Sequence, residues 1–197
     1  MKENKQQKKR RADILEAAEE VFSLNGYHKA DMNEIAKKAS IAKGTVYLYF
    51  PSKKELFISI IKDGLETLAK KIKEEVENID NSVEKIKKAI STQMLYLKNH
   101  QGLYRILLQP DSELMDDVFK TMKDIRLSKL PRLAEGIKEG IKEKQIRNLD
   151  ETSLSFMILG MIDMTLYHWL TNPNEESIEK KIDLLIDVLF NGISNGK

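Results

Sequence analysis

Residues 31–54 read DMNEIAKKASIAKGTVYLYFPSKK, two short amphipathic segments separated by a break. Asp31 can accept hydrogen bonds from the free amides of a first helical turn, and Glu34 can reach back to complete a capping box. Ile35, Ala36 and Ala39 share the side that packs inward. The chain then turns through Ser40-Ile41-Ala42. A second helix is expected from Lys43 to about Tyr49, with Val46 and Phe50 inward and Lys43, Gly44, Thr45, Tyr47 and Tyr49 outward. Another helix opens near Ser52, with Lys53 and Lys54 in its first turn.

This spacing fits a helix-turn-helix. The small Ala36 permits close crossing, Ile41 fills the corner and Val46 anchors the second helix. In that arrangement the second helix lies in the DNA major groove while the first crosses the backbone. Gly44 allows close approach to phosphate, and Thr45 can reach a thymine methyl or a base edge. The hydroxyls of Tyr47 and Tyr49 suit phosphate, a contact that positions the helix without reading sequence. Lysines at a helix start oppose its dipole, which makes sense for Lys53 and Lys54 if a phosphate lies there. With Asp31 as the cap, these eight residues form the expected DNA-binding set. The plain alternative is a helical hairpin with solvated lysines.

In its DNA-binding segment the chain resembles the TetR family of bacterial transcriptional regulators. The matching pieces are ILEAAEEVFSLNGY from Ile14, MNEIAKKASIAKGTVYLYF from Met32, and SKKELF from Ser52. The combination of Ile35-Ala36, Gly44, Tyr47, Tyr49-Phe50, Lys53 and Leu56-Phe57 carries the resemblance. Two positions depart from it. Ser40 stands where a turn glycine is usual, and a left-handed residue there costs on the order of 1 kcal/mol. Ala42 replaces the usual Ser or Thr cap, which forgoes roughly 0.5–2 kcal/mol.

The chain has 197 residues, only four prolines, no cysteine and three scattered histidines, His28, His100 and His168. This composition suits an all-α protein and speaks against disulfides or a metal site. Residues 1–54 hold 12 Lys/Arg against 7 Asp/Glu, whereas residues 55–197 hold 21 against 24. A basic front and an acidic body suit a protein that meets nucleic acid with one end. The basic amino terminus leads into amphipathic DILEAAEEVF rather than an apolar signal core, so a cytoplasmic protein is expected. The run Leu154–Leu170 is broken by Asp163 and His168 and is short for a membrane span.

Residues 1–9 read as a polar arm, disordered or touching DNA, and the first helix as residues 10–24, ending at Asn25-Gly26. Apolar stripes then mark about nine helices in all. The helix from Ser52 to about Val76 continues past the basic segment. Domains are expected at 1–54, for DNA binding, and 55–197, for effector binding and dimerisation. Further helices are expected at residues 83–98, 103–108 and from Ser112 onward, the last kinked or restarted at Pro131. The segment from Glu151 to Leu170 is apolar nearly all round, and a broad stripe runs from Glu175 to Ile193 through Ile178, Ile182, Leu185, Ile186, Leu189 and Phe190. Such surfaces need more cover than one small domain provides, so these last two helices are expected to pair with a second copy as a four-helix bundle. A two-fold dimer can address a palindromic operator on double-stranded DNA.

The resemblance implies an effector pocket in the second domain. Its candidate lining is Met94, Tyr104, Leu107, Met115, Phe119, Met122, Met161 and Trp169, with Arg105 and Asp163 among the polar candidates. Methionine and aromatics at helical spacing are also ordinary core. For Asp163 a hydrogen bond at the dimer interface competes with a ligand contact. NGYHK, GTVYLYF and LGMIDMTLYHWL further resemble the fatty-acid-degradation repressors of the family. That implies a hydrophobic effector, with a long-chain acyl-coenzyme A as the specific expectation. A regulator governed by a protein partner or by its own abundance is the alternative. No cofactor is implied, and no nucleophile triad, phosphate loop or metal spacing marks an enzyme.

Overall fold

A computed structural model describes residues 5–103, 115–172 and 174–193, apart from the side chains of Met115, Phe119, Met122, Arg126 and Lys129. Among the described residues every regular element is a helix. They are α1 (Lys5–Lys29), α2 (Met32–Lys38), α3 (Lys43–Tyr49), α4 (Lys53–Val76), α5 (Ser82–Asn99), α6 (Met115–Lys142), α7 (Glu151–Thr171) and α8 (Ile178–Asn191). Residues 101–103 are also helical.

The chain forms two compact units. The first takes in the described residues up to Glu66 with those from His100 to Lys123; the second takes in Thr67–Asn99 and those from Asp124 onward. The division falls inside α4, and the described residues from His100 to Lys123 belong to the first unit.

In the first unit, Ile14, Ala18, Val21 and Phe22 of α1 are buried as the stripe requires, together with Leu56, Phe57, Ile60 and Ile61 of α4. Phe22 meets Phe57 edge-on at 5.1 Å between ring centroids, and Tyr27 meets Phe57 at 5.3 Å. Glu19 on α1 accepts a hydrogen bond from the Leu103 amide at 2.9 Å, and Leu103 fills the space a side chain at Gly64 would need.

Several expectations need correction here. α1 starts by Lys5 instead of Arg10, so the basic arm is helical from there. The regular helix stops at Gly26, as expected, because its φ of 70° is one that only glycine adopts without strain; beyond it Tyr27–Lys29 form one further turn, where a loop was expected. The Glu34 carboxylate accepts from the Asn25 side-chain amide at 3.0 Å rather than completing a capping box.

The turn between α2 and α3 is a Schellman motif. The Ile41 amide donates to the Ala36 carbonyl at 3.0 Å and the Ser40 amide to the Lys37 carbonyl at 3.1 Å. Ser40 sits at the left-handed position with φ 55°, so the helix closes as it would with glycine, but under strain. Ala42 occupies the N-cap of α3 and makes no side-chain cap. Ser40→Gly is expected to add about 0.5–1 kcal/mol, the relief of strain less the entropy glycine loses on folding. Ala42→Ser is expected to add about 1 kcal/mol. Both are read from the denaturant midpoint, and a fall in stability for either would contradict the assignment.

In the second unit, α8 packs against both α5 and α7. Ile86, Ile90, Met94 and Leu97 of α5, Ile158, Ile162 and Leu166 of α7, and Ile178, Ile182 and Leu185 of α8 are buried. Asp150 caps α7, accepting from the Ser153 amide at 2.7 Å. Hydrogen bonds from the Ser153 side chain and from its amide hold the Asp150 carboxyl below its ordinary value. α6 runs through Pro131 to Lys142 without restarting. α8 begins at Ile178 with Ser177 as its cap, not at Glu175, and Ile193 is exposed beyond its end.

Candidate nucleic-acid interface

α1, α2 and α3 build a trihelical head that contains the expected helix-turn-helix: α2 packs on α1, and α3 on α2. Asp31 caps α2, accepting from the Asn33 amide at 2.8 Å and from its side chain at 3.0 Å. Those bonds, helped by the charges of Lys43 and Lys53, lower the Asp31 pKa. Its role is therefore to hold the start of α2. Ile35, Ala36, Val46 and Phe50 are buried, Ile41 and Ala39 half-buried.

α3 turns its remaining residues outward. Lys43, Gly44, Tyr47 and Leu48 are exposed, whereas Thr45 and Tyr49 are half-buried on its flank. Nothing lies within 4 Å of where a side chain at Gly44 would begin. The outer face is thus open over its whole length.

The two lysines at the start of α4 have separate surroundings. The Lys53 ammonium donates to the His28 carbonyl at 3.0 Å and lies 4.8 Å from the Tyr27 ring centroid. It therefore ties the start of α4 to the last turn of α1. Lys54 is exposed and pairs with Asp117 of α6, an interaction that raises its pKa. Ser52 caps α4, accepting from the Glu55 amide at 3.1 Å.

Beside them Arg11 grips Asp63 with both terminal guanidinium nitrogens, at 2.5 and 2.9 Å. A cleft of about 460 Å³ opens there, lined by Arg11, Tyr49, Phe50, Lys54, Lys62 and Asp117 among others. Neither ion pair has a local sequence signal, since the partners are far apart in the chain.

The expected effector residues are less fully described. Tyr104, Arg105 and Leu107 lie outside the described residues, as do the side chains of Met115, Phe119 and Met122. Met94 is fully buried on α5, while Met161, Asp163 and Trp169 are half-buried on α7.

Comparison with known proteins matches these features. Residues 14–60 fit the model for bacterial regulatory proteins of the tetR family. Residues 80–193 fit that for the tetracyclin repressor-like C-terminal domain. The fatty acid metabolism regulator protein of Bacillus subtilis is 31% identical over 196 residues, covering 97% of this chain and 99% of that protein. The crystal structure of the transcriptional regulator FadR from Bacillus subtilis in complex with stearoyl-CoA has a TM-score of 0.81 at 29% identity, over 93% of this chain and 99% of that one. AibR, solved with isovaleryl coenzyme A and operator DNA, has a TM-score of 0.74 at 23% identity, over 92% of this chain and 98% of that one, and shows the same fold. No helix among the described residues is long and apolar enough to cross a membrane. With an open helix-turn-helix in its first unit and family matches over both parts, the chain belongs to the TetR family of bacterial regulatory proteins and is a DNA-binding transcriptional regulator.

Proposed function

We propose that the protein is a repressor that binds a palindromic operator as a homodimer and is released by a long-chain acyl-coenzyme A. The observation that carries the effector is the likeness to the fatty acid metabolism regulator, which extends over nearly the whole chain and so includes the effector-binding half. The stearoyl-CoA complex of a structure alike over the same length supports it. Met94, Met161 and Trp169 supply adaptable apolar lining for an acyl chain, with Tyr104, Arg105, Leu107, Met115, Phe119, Met122 and Asp163 as the other candidates.

The dimer rests on an uncovered surface. Phe156, Met157, Met164 and Tyr167 of α7 are between 46% and 64% exposed, and Leu184 of α8 is 58% exposed. Large apolar groups so placed on the last two helices favour a second copy as their cover.

To carry the operator from almost wholly bound to almost wholly released, the thioester must favour the released state about 10⁴-fold. Calorimetric titration with stearoyl-coenzyme A is expected to show saturable binding, with free coenzyme A binding far more weakly. No heat from the thioester would overturn the proposed effector. Tyr47→Phe should weaken operator binding by removing a phosphate partner and leave dimerisation intact. Lys53→Ala should do the same and also lower stability, because the His28 carbonyl loses its donor. Unchanged anisotropy titrations for both would contradict the assigned interface.

A further inference from the structure

We infer that Leu48 reads a thymine methyl group in each operator half-site, an assignment that rests on α3 entering the major groove. Leu48 is 84% exposed, the most uncovered large apolar side chain among the described residues before Ile193. Its place follows from helix geometry. At 3.6 residues per turn, a residue two positions after another points to nearly the opposite side. Val46 is fully buried, so Leu48 stands on the outermost line of α3. Gly44, one turn earlier, shares that line and is open above its backbone. Tyr47 flanks one side, and the half-buried Thr45 and Tyr49 flank the other.

The chemistry of the side chain narrows its partner. Leucine has no polar atom, so it can neither hydrogen-bond a base edge nor take a phosphate. The major-groove edges of the bases offer one apolar group, the C5-methyl of thymine. The surroundings favour nucleic acid over an apolar protein surface: Lys43 precedes Gly44 on the same helix, and Lys29 and Lys37 are exposed in the same trihelical head. An apolar tip on the outer line of a helix that opens with a lysine complements a methyl group set between two phosphate backbones. Tyr47 then positions the helix while Leu48 discriminates, so the two residues have separable effects.

The test selects bound fragments from random-sequence DNA with the wild-type protein, then replaces single thymines of the selected site by deoxyuridine, which lacks only the methyl. One thymine in each half-site should be sensitive, with affinity falling about five-fold or more on its replacement. Leu48→Ala should bind the thymine and deoxyuridine sites equally, and Leu48→Gln should move the preference there toward adenine, which glutamine can bind through two hydrogen bonds. Both variants should fold like wild type, because the position is exposed. Deoxyuridine without effect anywhere, or with the same effect on Leu48→Ala, would overturn the assignment. A changed sedimentation coefficient for Leu48→Ala with unchanged base preference would also overturn it, by making a second copy the occupant. Selection of no sequence by the wild type would be a distinct result: the docking of α3 itself would fail, and this assignment with it.

Discussion

Glutamate in place of both Met157 and Met164 is expected to yield a folded monomer with operator affinity lowered by roughly 10²–10⁴-fold. The two methionines lie two turns apart on one side of α7 and are 63% and 64% exposed, so the protomer alone has no reason to resist the change. In the proposed bundle each glutamate would lose its water against an apolar partner, and four carboxylates would gather near the two-fold axis. Burying unpaired charge is among the costliest changes an interface can suffer. The affinity loss follows from linkage of two heads. In a dimer the second half-site meets its head at high effective concentration, and a monomer forfeits that gain without losing any contact to DNA. Sedimentation velocity reads the first effect and anisotropy the second. A variant that remains dimeric, or a monomer that binds as tightly as wild type, would contradict the proposed interface.

The second large effect is on stability. Phe22→Ala should destabilise the protein by about 3–5 kcal/mol. Phe22 is 2% exposed and touches both aromatic partners, Phe57 and Tyr27, so its removal leaves a void among rings that a helix backbone cannot collapse to fill. Domains of this kind are stable by only about 5–15 kcal/mol, so the head should lose cooperative folding well before wild type in a urea titration. Leu24 makes the matched control: it lies on the same helix but is 75% exposed, and Leu24→Ala should change stability by less than about 0.5 kcal/mol. Equal effects of the two substitutions would mean that α1 does not pack through the Phe22 face.

The head was legible because its signals are local. A cap at Asp31, a buried pair at Ile35-Ala36, a turn at Ser40 and an anchor at Val46 each follow from neighbours within a few residues. Even the departure at Ser40 was readable, since the turn demands a left-handed residue whichever side chain stands there. Interactions between distant residues were not readable. Lys53 looks like a free cation at a helix start, yet it reaches the His28 carbonyl; Lys54 reaches Asp117, and Arg11 reaches Asp63. Leu48 carries no polar atom to mark it as a contact residue, although its offset from Val46 places it outside. The capping box failed for a similar reason: Glu34 had a second partner, Asn25, brought near by the packing of α2 on α1. Pro131 removes one hydrogen bond, and of the two outcomes expected there, a kink or a restart, the restart does not occur: α6 runs on to Lys142.

The most direct test of the account is a titration of the protein onto the DNA upstream of its own gene, with and without palmitoyl-coenzyme A. Tight binding is expected in the absence of the thioester, weakening steeply with added salt as released counterions require. Saturating thioester should release the DNA, and free coenzyme A should not. Binding that the thioester leaves unchanged would contradict the account's central claim of an acyl-coenzyme A-released repressor.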